Sequence, residues 1–204
     1  VKNDRTFWRI TDLGKQALES GELKRAKKQI EALNLLLMQN LEKGNNEISS
    51  AIWSALKGKD YVKEIIVPTE QKSWQQTLGD NPLVNLDNRL TLNKQQALAF
   101  SQLLFQEGFN VWLLEGVTGS GKTEIYLQYI EEVLKKGKQV LVLVPEIGLT
   151  PQTVRRFQAR FNVEIDVLHS NLNDTQRLNV WERARTGQSA IVIGTRSALF
   201  TQFS

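Results

Sequence analysis

The sequence predicts an α/β fold built on a parallel sheet, with a smaller helical unit ahead of it. Three observations predict this. From residue 111 onward, short apolar runs alternate with amphipathic stretches of about 10–15 residues, the pattern of strands joined by crossover helices. The run Gln139-Val-Leu-Val-Leu-Val144 is apolar on both alternating faces, as a strand covered on two sides must be. Finally, Gly116-Val-Thr-Gly-Ser-Gly-Lys-Thr123 falls where a strand should end and a helix begin.

Taken in order, residues 1–67 read as a winged-helix-like domain. Phe7-Trp-Arg-Ile10 suits a strand, and Thr11 or Asp12 can cap the helix behind it. Ala26, Ile30, Leu33, Leu37 and Leu41 recur at helical spacing over 23–41, and Gly44 breaks the pattern. A further helix is expected over 47–56 and a strand over 61–67, where Val62, Ile65 and Val67 stand out. Short helices followed by a strand fit a helix-turn-helix with a wing, and they also fit a generic helical mini-domain. Residues 68–89, with Pro68, Gly79 and Pro82 and no sustained period, read as a linker in which Trp74 packs on a neighbouring domain. The lobe occupies 90–204. Its expected elements are a helix over 92–107, a strand at 111–114, a helix over 123–134 and a strand over 139–144. After these come a helix over 150–161, a strand over 164–168, a helix over 174–185 and a strand over 190–193.

Composition removes several classes. The 204 residues carry no Cys and one His, which excludes disulfides, thiolate zinc sites and a cysteine nucleophile within this chain. No apolar run reaches the length of a membrane span, so no membrane is expected as a partner. The net charge of +4 permits nucleic-acid binding without demanding it. Its densest cluster, Lys24, Arg25, Lys27 and Lys28, reads equally as a solvated helix face.

Residues 116–123 fit G-x-x-x-x-G-K-[ST] without exception. Gly116, Gly119 and Gly121 let the backbone of Val117, Thr118 and Ser120 wrap phosphate oxygens, and a helix N-terminus adds its dipole. Lys122 can then reach the terminal phosphates, and Thr123 can ligate Mg²⁺. Lys122 and Thr123 are therefore the candidate catalytic residues. The cofactor-binding set comprises Gln96 and the run Gly116, Val117, Thr118, Gly119, Ser120, Gly121, Lys122, Thr123 and Glu124. Gln96, some twenty residues upstream, can present a donor and an acceptor to an adenine edge, which selects ATP.

Two further loops follow strands and so gather at the carboxyl edge of the sheet. Pro145-Glu-Ile-Gly-Leu-Thr-Pro-Gln152 opens a helix whose free N–H groups suit a backbone phosphate, and Gly194-Thr-Arg-Ser197 repeats the arrangement. Thr150, Gln152, Thr195, Arg196 and Ser197 are the candidate nucleic-acid contacts here. Lys57 and Lys59 are the candidates in the N-terminal unit.

The runs GVTGSGKTE, VPEIGLTPQ, LHS-x-L-x-D with Arg177 and Trp181, and IGTRSALF resemble the bacterial primosomal replication-restart helicase family. The resemblance covers 90–203, with a fainter likeness of the first section to that family's winged helix. It implies an incomplete RecA-like lobe of a superfamily-2, ATP-dependent helicase that translocates 3′ to 5′ on DNA. The implied parent recognises stalled forks and D-loops, and it promotes primosome assembly with primosome proteins and single-strand-binding protein. It is expected in the bacterial cytoplasm, at the nucleoid, as a monomer. Gln95 occupies a place that is commonly acidic in the family. His169 is expected to be structural. The family's DEEH run, which holds Mg²⁺ and positions water, does not follow Arg196. The second lobe and the zinc-binding (Zn²⁺) region expected of full-length members do not appear either. The chain thus reads as an internal fragment that binds ATP and Mg²⁺ through half a pocket and does not turn ATP over. A RecG-like or other superfamily-2 translocase, or a DNA- or protein-binding module without turnover, are the alternatives.

Overall fold

The computed structural model describes residues 5–67, 72–104 and 108–203. The first unit is organised by β1 (Arg5–Ile10), which lies between β2 (Leu41–Glu42) and β3 (Val62–Val67), antiparallel to both. Register pairs Phe7 with Glu42 and Ile10 with Val62. Three helices pack on this sheet. α1 (Asp12–Ser20) starts where the Thr11 hydroxyl accepts from Gly14 N, and stops at Gly21, whose φ of 72° ends the helix in the left-handed region. α2 (Lys27–Met38) and α3 (Ser50–Gly58) bury Leu33, Leu37, Trp53 and Leu56, and the indoles of Trp8 and Trp53 stack 5.0 Å apart.

Two boundaries differ from the periodicity. Residues 23–26 form a turn, with Ala26 N donating to Leu23 O at 2.7 Å, so α2 begins later than expected. Leu41 keeps the helical spacing but belongs to β2, because its backbone is extended opposite Trp8. The two long strands β1 and β3 are separated by all three helices, so they do not form a consecutive hairpin.

The segment expected as a linker is a strap bound to the lobe, apart from 68–71, which lie outside the described residues. α4 (Trp74–Leu78) opens with a capping box between Ser73 and Gln76. Trp74 is buried, and its backbone N–H donates to Gly187 O at 2.8 Å. Further along, Val84 bridges Phe161, Asn85 N donates to Arg160 O at 2.8 Å, and Asn162 N donates to Leu83 O at 2.9 Å. The strap's polar composition hid a segment whose backbone is spent on a neighbour rather than on water.

The lobe contains α5 (Lys94–Leu104), α6 (Lys122–Lys135), β4 (Val140–Leu143), α7 (Pro151–Arg160), β5 (Ile165–Leu168), α8 (Asp174–Arg185) and β6 (Ile191–Gly194). Residues 105–107 of the helix expected over 92–107 lie outside the described residues. The sheet is parallel, in the order β4-β6-β5. β6 is central and wholly buried, as its neighbours on both edges require.

Two strands depart from the sequence pattern. β4 is not the doubly buried strand its composition predicts; it stands at an edge, and Leu143 is 47% exposed. Residues 111–114 do not form the expected strand, and Val111 and Leu113 are 82% and 87% exposed. A short apolar run becomes a strand only when a neighbour completes its hydrogen bonds, and among the described residues none pairs with it.

The first unit is joined to the lobe through a shared apolar core, in which Leu33 and Leu37 of α2 lie with Val154 and Phe161, and through charge. Arg9 Nη1 lies 3.1 Å from Glu164 Oε1, and Arg183 reaches both Glu164 (3.2 Å) and Asp166 (2.8 Å). Asp166 also accepts from the Ser189 hydroxyl. Nearby, His169 Nε2 donates to Met38 O at 3.1 Å, linking the end of β5 to the end of α2.

Candidate nucleotide site and nucleic-acid face

The phosphate loop folds as its glycines require. Gly121 has a φ of 82° and precedes α6 without any side-chain cap, so the first-turn N–H groups have no side-chain partner. A Cβ at Gly121 would meet Gln96 Nε2, so a larger residue there is strained by its left-handed backbone and has to push the Gln96 amide aside. Ile125, Leu127, Ile130 and Leu134 anchor α6 in the body while residues 116–120 remain exposed.

Gln96 is placed at this loop, where two hydrogen bonds take one acceptor and one donor of its amide and leave one of each. Its Oε1 accepts from Asn93 N at 2.9 Å, half of a capping box that starts α5. Its Nε2 donates to Ser120 O at 3.0 Å. The predicted adenine reader is thus also a brace on the phosphate loop. Lys122 Nζ lies over the same loop and donates to Val117 O at 3.0 Å and to Gly116 O. Thr123 stands exposed in the first turn of α6 beside it. The cradle therefore suits a polyphosphate, since it combines a helix N-terminus, a flexible ammonium and glycines where a Cβ would intrude.

Glu124 departs from its expected role. Its carboxylate turns into the protein, where Oε1 lies 2.7 Å from Arg160 Nη2 and accepts from Gln128 Nε2 at 2.8 Å. A side chain so committed is not a phosphate-loop ligand. The partner, Arg160, is 1% exposed and also donates to Asn88 O in the strap at 2.6 Å. Sequence reasoning missed this junction. The available signal was Arg160 lying three residues after Phe157 and six after Val154, on the apolar stripe of α7, where a cation needs a buried partner.

The two loops of the candidate nucleic-acid face are neighbours, because β4 and β6 pair in register to Leu143 and Gly194. Thr150 caps α7 through its hydroxyl, accepting from Thr153 N at 3.2 Å, with Pro151 at the first helical position. Thr150 and Gln152 are exposed, as are Arg196 and Ser197 at the start of a short 3₁₀ turn, Arg196–Phe200. Thr195 is 7% exposed, so its side chain serves the fold rather than this face.

Lys57 and Lys59 lie apart from both loops, at the end of α3. Lys57 Nζ shares Glu64 with Lys43, at 2.9 and 3.1 Å, and these hydrogen bonds, Lys57's first, hold the Glu64 carboxyl below its ordinary range. Lys59 donates to Gln29 Oε1 and lies 5.8 Å from the centre of the Tyr61 ring. His169 is buried, and desolvation pulls its imidazole below its ordinary range, with the Arg177 charge adding to the effect against the Met38 hydrogen bond. It is structural, as expected.

All 204 residues align at 79% identity with the Replication restart protein PriA of Haemophilus influenzae and cover 28% of its length. The Bacillus subtilis protein of the same name is 38% identical over 170 residues, which are 82% of this chain and 20% of that one. That of Synechocystis sp. is 48% identical over 124 residues, 61% of this chain and 15% of the relative. The chain thus spans between 15% and 28% of the length of these relatives. The DEAD/DEAH box helicase family matches residues 93–204, which include the helix downstream of the strap, the phosphate loop and both strand-end loops. With its phosphate loop opening α6 at one end of a parallel sheet, the chain belongs to the DEAD/DEAH box helicase family.

Proposed function

We propose that this chain is the nucleotide-binding part of an ATP-dependent DNA helicase that works 3′ to 5′ in replication restart, acting at stalled forks and D-loops and promoting primosome assembly. The observation that carries the reading is the glycine cradle at the start of α6, with Lys122 above it and Gln96 bonded to its backbone. Bound ATP with Mg²⁺ supplies the phosphoanhydride bond whose hydrolysis drives the motor. Lys122 would exchange the Gly116 and Val117 carbonyls for phosphate oxygens, the first-turn N–H groups of α6 would help to hold them, and the Thr123 hydroxyl would be the ligand this chain offers to the metal. Gln96 keeps Ser120 in place and meets the adenine edge from the start of α5. Thr150, Gln152, Arg196 and Ser197 grip the backbone of one strand across two adjacent loops.

Turnover falls to a longer helicase that contains this sequence and only binding to this chain, in the cytosol, with primosome proteins and single-strand-binding protein as partners. The test is direct. The purified chain binds a fluorescent ADP analogue, loses that binding with Lys122→Ala, and hydrolyses no ATP. Steady ATP turnover by the purified chain, abolished in Lys122→Ala, refutes the division of labour.

A second reading concerns the N-terminal unit, favoured by Lys43 and Lys57 meeting at Glu64 with Lys59 just beyond the end of α3. We propose a winged-helix-like DNA module. Lys57→Ala with Lys59→Ala then weakens binding to forked DNA and lowers the slope of log affinity against log salt by roughly one to two. Unchanged affinity and slope make the unit a protein-contacting spacer.

A further inference from the structure

The buried junction of Glu124, Arg160 and the Asn88 carbonyl joins the two ends of the proposed machine, and it belongs to neither site. Glu124 is the residue after Thr123, in the first turn of the helix that the phosphate loop opens. Arg160 is the last residue of α7, the helix whose first turn carries Thr150 and Gln152. α7 is a 10-residue rod, about 15 Å long, with a candidate strand contact at one end and this junction at the other.

The bonding leaves little play. Arg160 Nη2 lies 2.7 Å from Glu124 Oε1, and Nη1 lies 3.4 Å from Oε2 while donating to Asn88 O at 2.6 Å. Gln128 Nε2 donates to Glu124 Oε1 at 2.8 Å and to Leu90 O at 2.9 Å. Arg89, between Asn88 and Leu90, pairs with Glu131 on α6 at 3.4 Å. A few residues beyond the strap, α5 begins and places Gln96 on Ser120. Two routes thus run from the end of α7 to the phosphate loop: one through Glu124 into the first turn of α6, the other through the strap into Gln96. A guanidinium suits this junction because its planar fork serves a carboxylate and a carbonyl together, which an ammonium cannot do with the same geometry.

We propose that Glu124 and Arg160 are positioning residues that couple occupation of the strand-binding face to the arrangement of the phosphate loop. The inference rests on the helicase reading above. A strand pulling on the first turn of α7 displaces that helix as a unit. The paired charges pass the displacement to α6 and the strap, because the pair cannot separate without leaving a charge unpaired in the interior.

The experiment uses the intact helicase that contains this sequence and measures ATP turnover with and without a single-stranded oligonucleotide. The readout is the ratio of the two, with oligonucleotide affinity and melting temperature measured alongside. Arg160→Lys keeps the charge and gives up the fork; the ratio falls at least threefold while oligonucleotide binding stays within about twofold. Glu124→Leu with Arg160→Met replaces the pair by apolar residues of similar bulk, which removes the tie without stranding a charge, and the ratio falls at least fivefold. If that double variant fails to fold, Arg160→Lys alone decides the matter. A variant that merely loosened the protein would lower both rates together and leave their ratio unchanged, and an unchanged ratio in Arg160→Lys overturns the inference. An unaltered protein whose turnover ignores the oligonucleotide overturns the helicase reading itself.

Discussion

Replacing glycines of the phosphate loop one at a time separates two physical costs that the structure assigns to different positions. At Gly119, φ is +83° and nothing lies within 4 Å of the place a Cβ would take, so alanine there meets backbone strain alone. That strain is about 1–2 kcal/mol for an L-residue held in the left-handed region. At Gly121, φ is +82° and the added carbon meets Gln96 Nε2, so alanine also breaks the Gln96–Ser120 hydrogen bond. The additional loss is about 0.5–1.5 kcal/mol. Strain of this kind lowers the population of loops able to receive phosphate, and affinity falls in proportion. With a tenfold change for each 1.4 kcal/mol or so, Gly119→Ala weakens nucleotide binding about 5–30-fold, and Gly121→Ala weakens it by a further factor of about 2–10. Titration of a fluorescent ADP analogue into each purified variant measures the effect. Thermal unfolding of Gly119→Ala in parallel shifts by about 2–8 °C, at about 2–4 °C per kcal/mol for a chain of this size. If Gly119→Ala costs as much affinity as Gly121→Ala, the brace assigned to Gln96 does not exist.

Two other predictions concern stability. Asp166→Ala removes one of the two carboxylates on Arg183, and the acceptor of the Ser189 hydroxyl, at a site only 5% exposed, and costs about 1.5–3 kcal/mol in a chemical unfolding titration. Glu42→Ala, which removes the Arg5 pair at an exposed site, costs under about 1 kcal/mol in the same assay, and equal costs would contradict the burial argument. His169 gives a pH dependence. Its folded-state pKa lies below the ordinary 6.5, so the unfolded chain binds the proton more readily. Its contribution is therefore complete above pH 6.5 and declines as the pH falls below it, through the folded-state value. The His169→Gln variant loses less stability between about pH 7 and about pH 5 than the unaltered chain does, which unfolding titrations at the two pH values would show.

The legible parts of the fold were those decided locally. α8 occupies the very residues its pattern marked, and α6 and α7 begin and end within a residue or two of expectation, because caps and apolar stripes are written in consecutive residues. The phosphate loop was legible for the same reason: its chemistry is compressed into eight positions. Strands fared differently. Residues 111–114 carry the composition of a strand, yet strand identity belongs to the pair and not to the run. β4 has the composition of a central strand and stands at an edge, since apolar content reports burial tendency and not place in the sheet. Glu124 belonged to a motif by sequence but serves a partner 36 residues away, and such a distance leaves no local trace.

The seat of the N-terminal unit also decides how far it could travel. A free tether of about 22 residues at about 3.4 Å each would let that unit sweep a radius near 75 Å. It is instead seated on the lobe, with Leu33 and Leu37 in one apolar core with Val154 and Phe161 and with Arg9 paired to Glu164, while the strap is held to the lobe from Trp74 onward. Any DNA held by the N-terminal unit is thereby carried along with the motor, because swinging the unit away would expose that core to water.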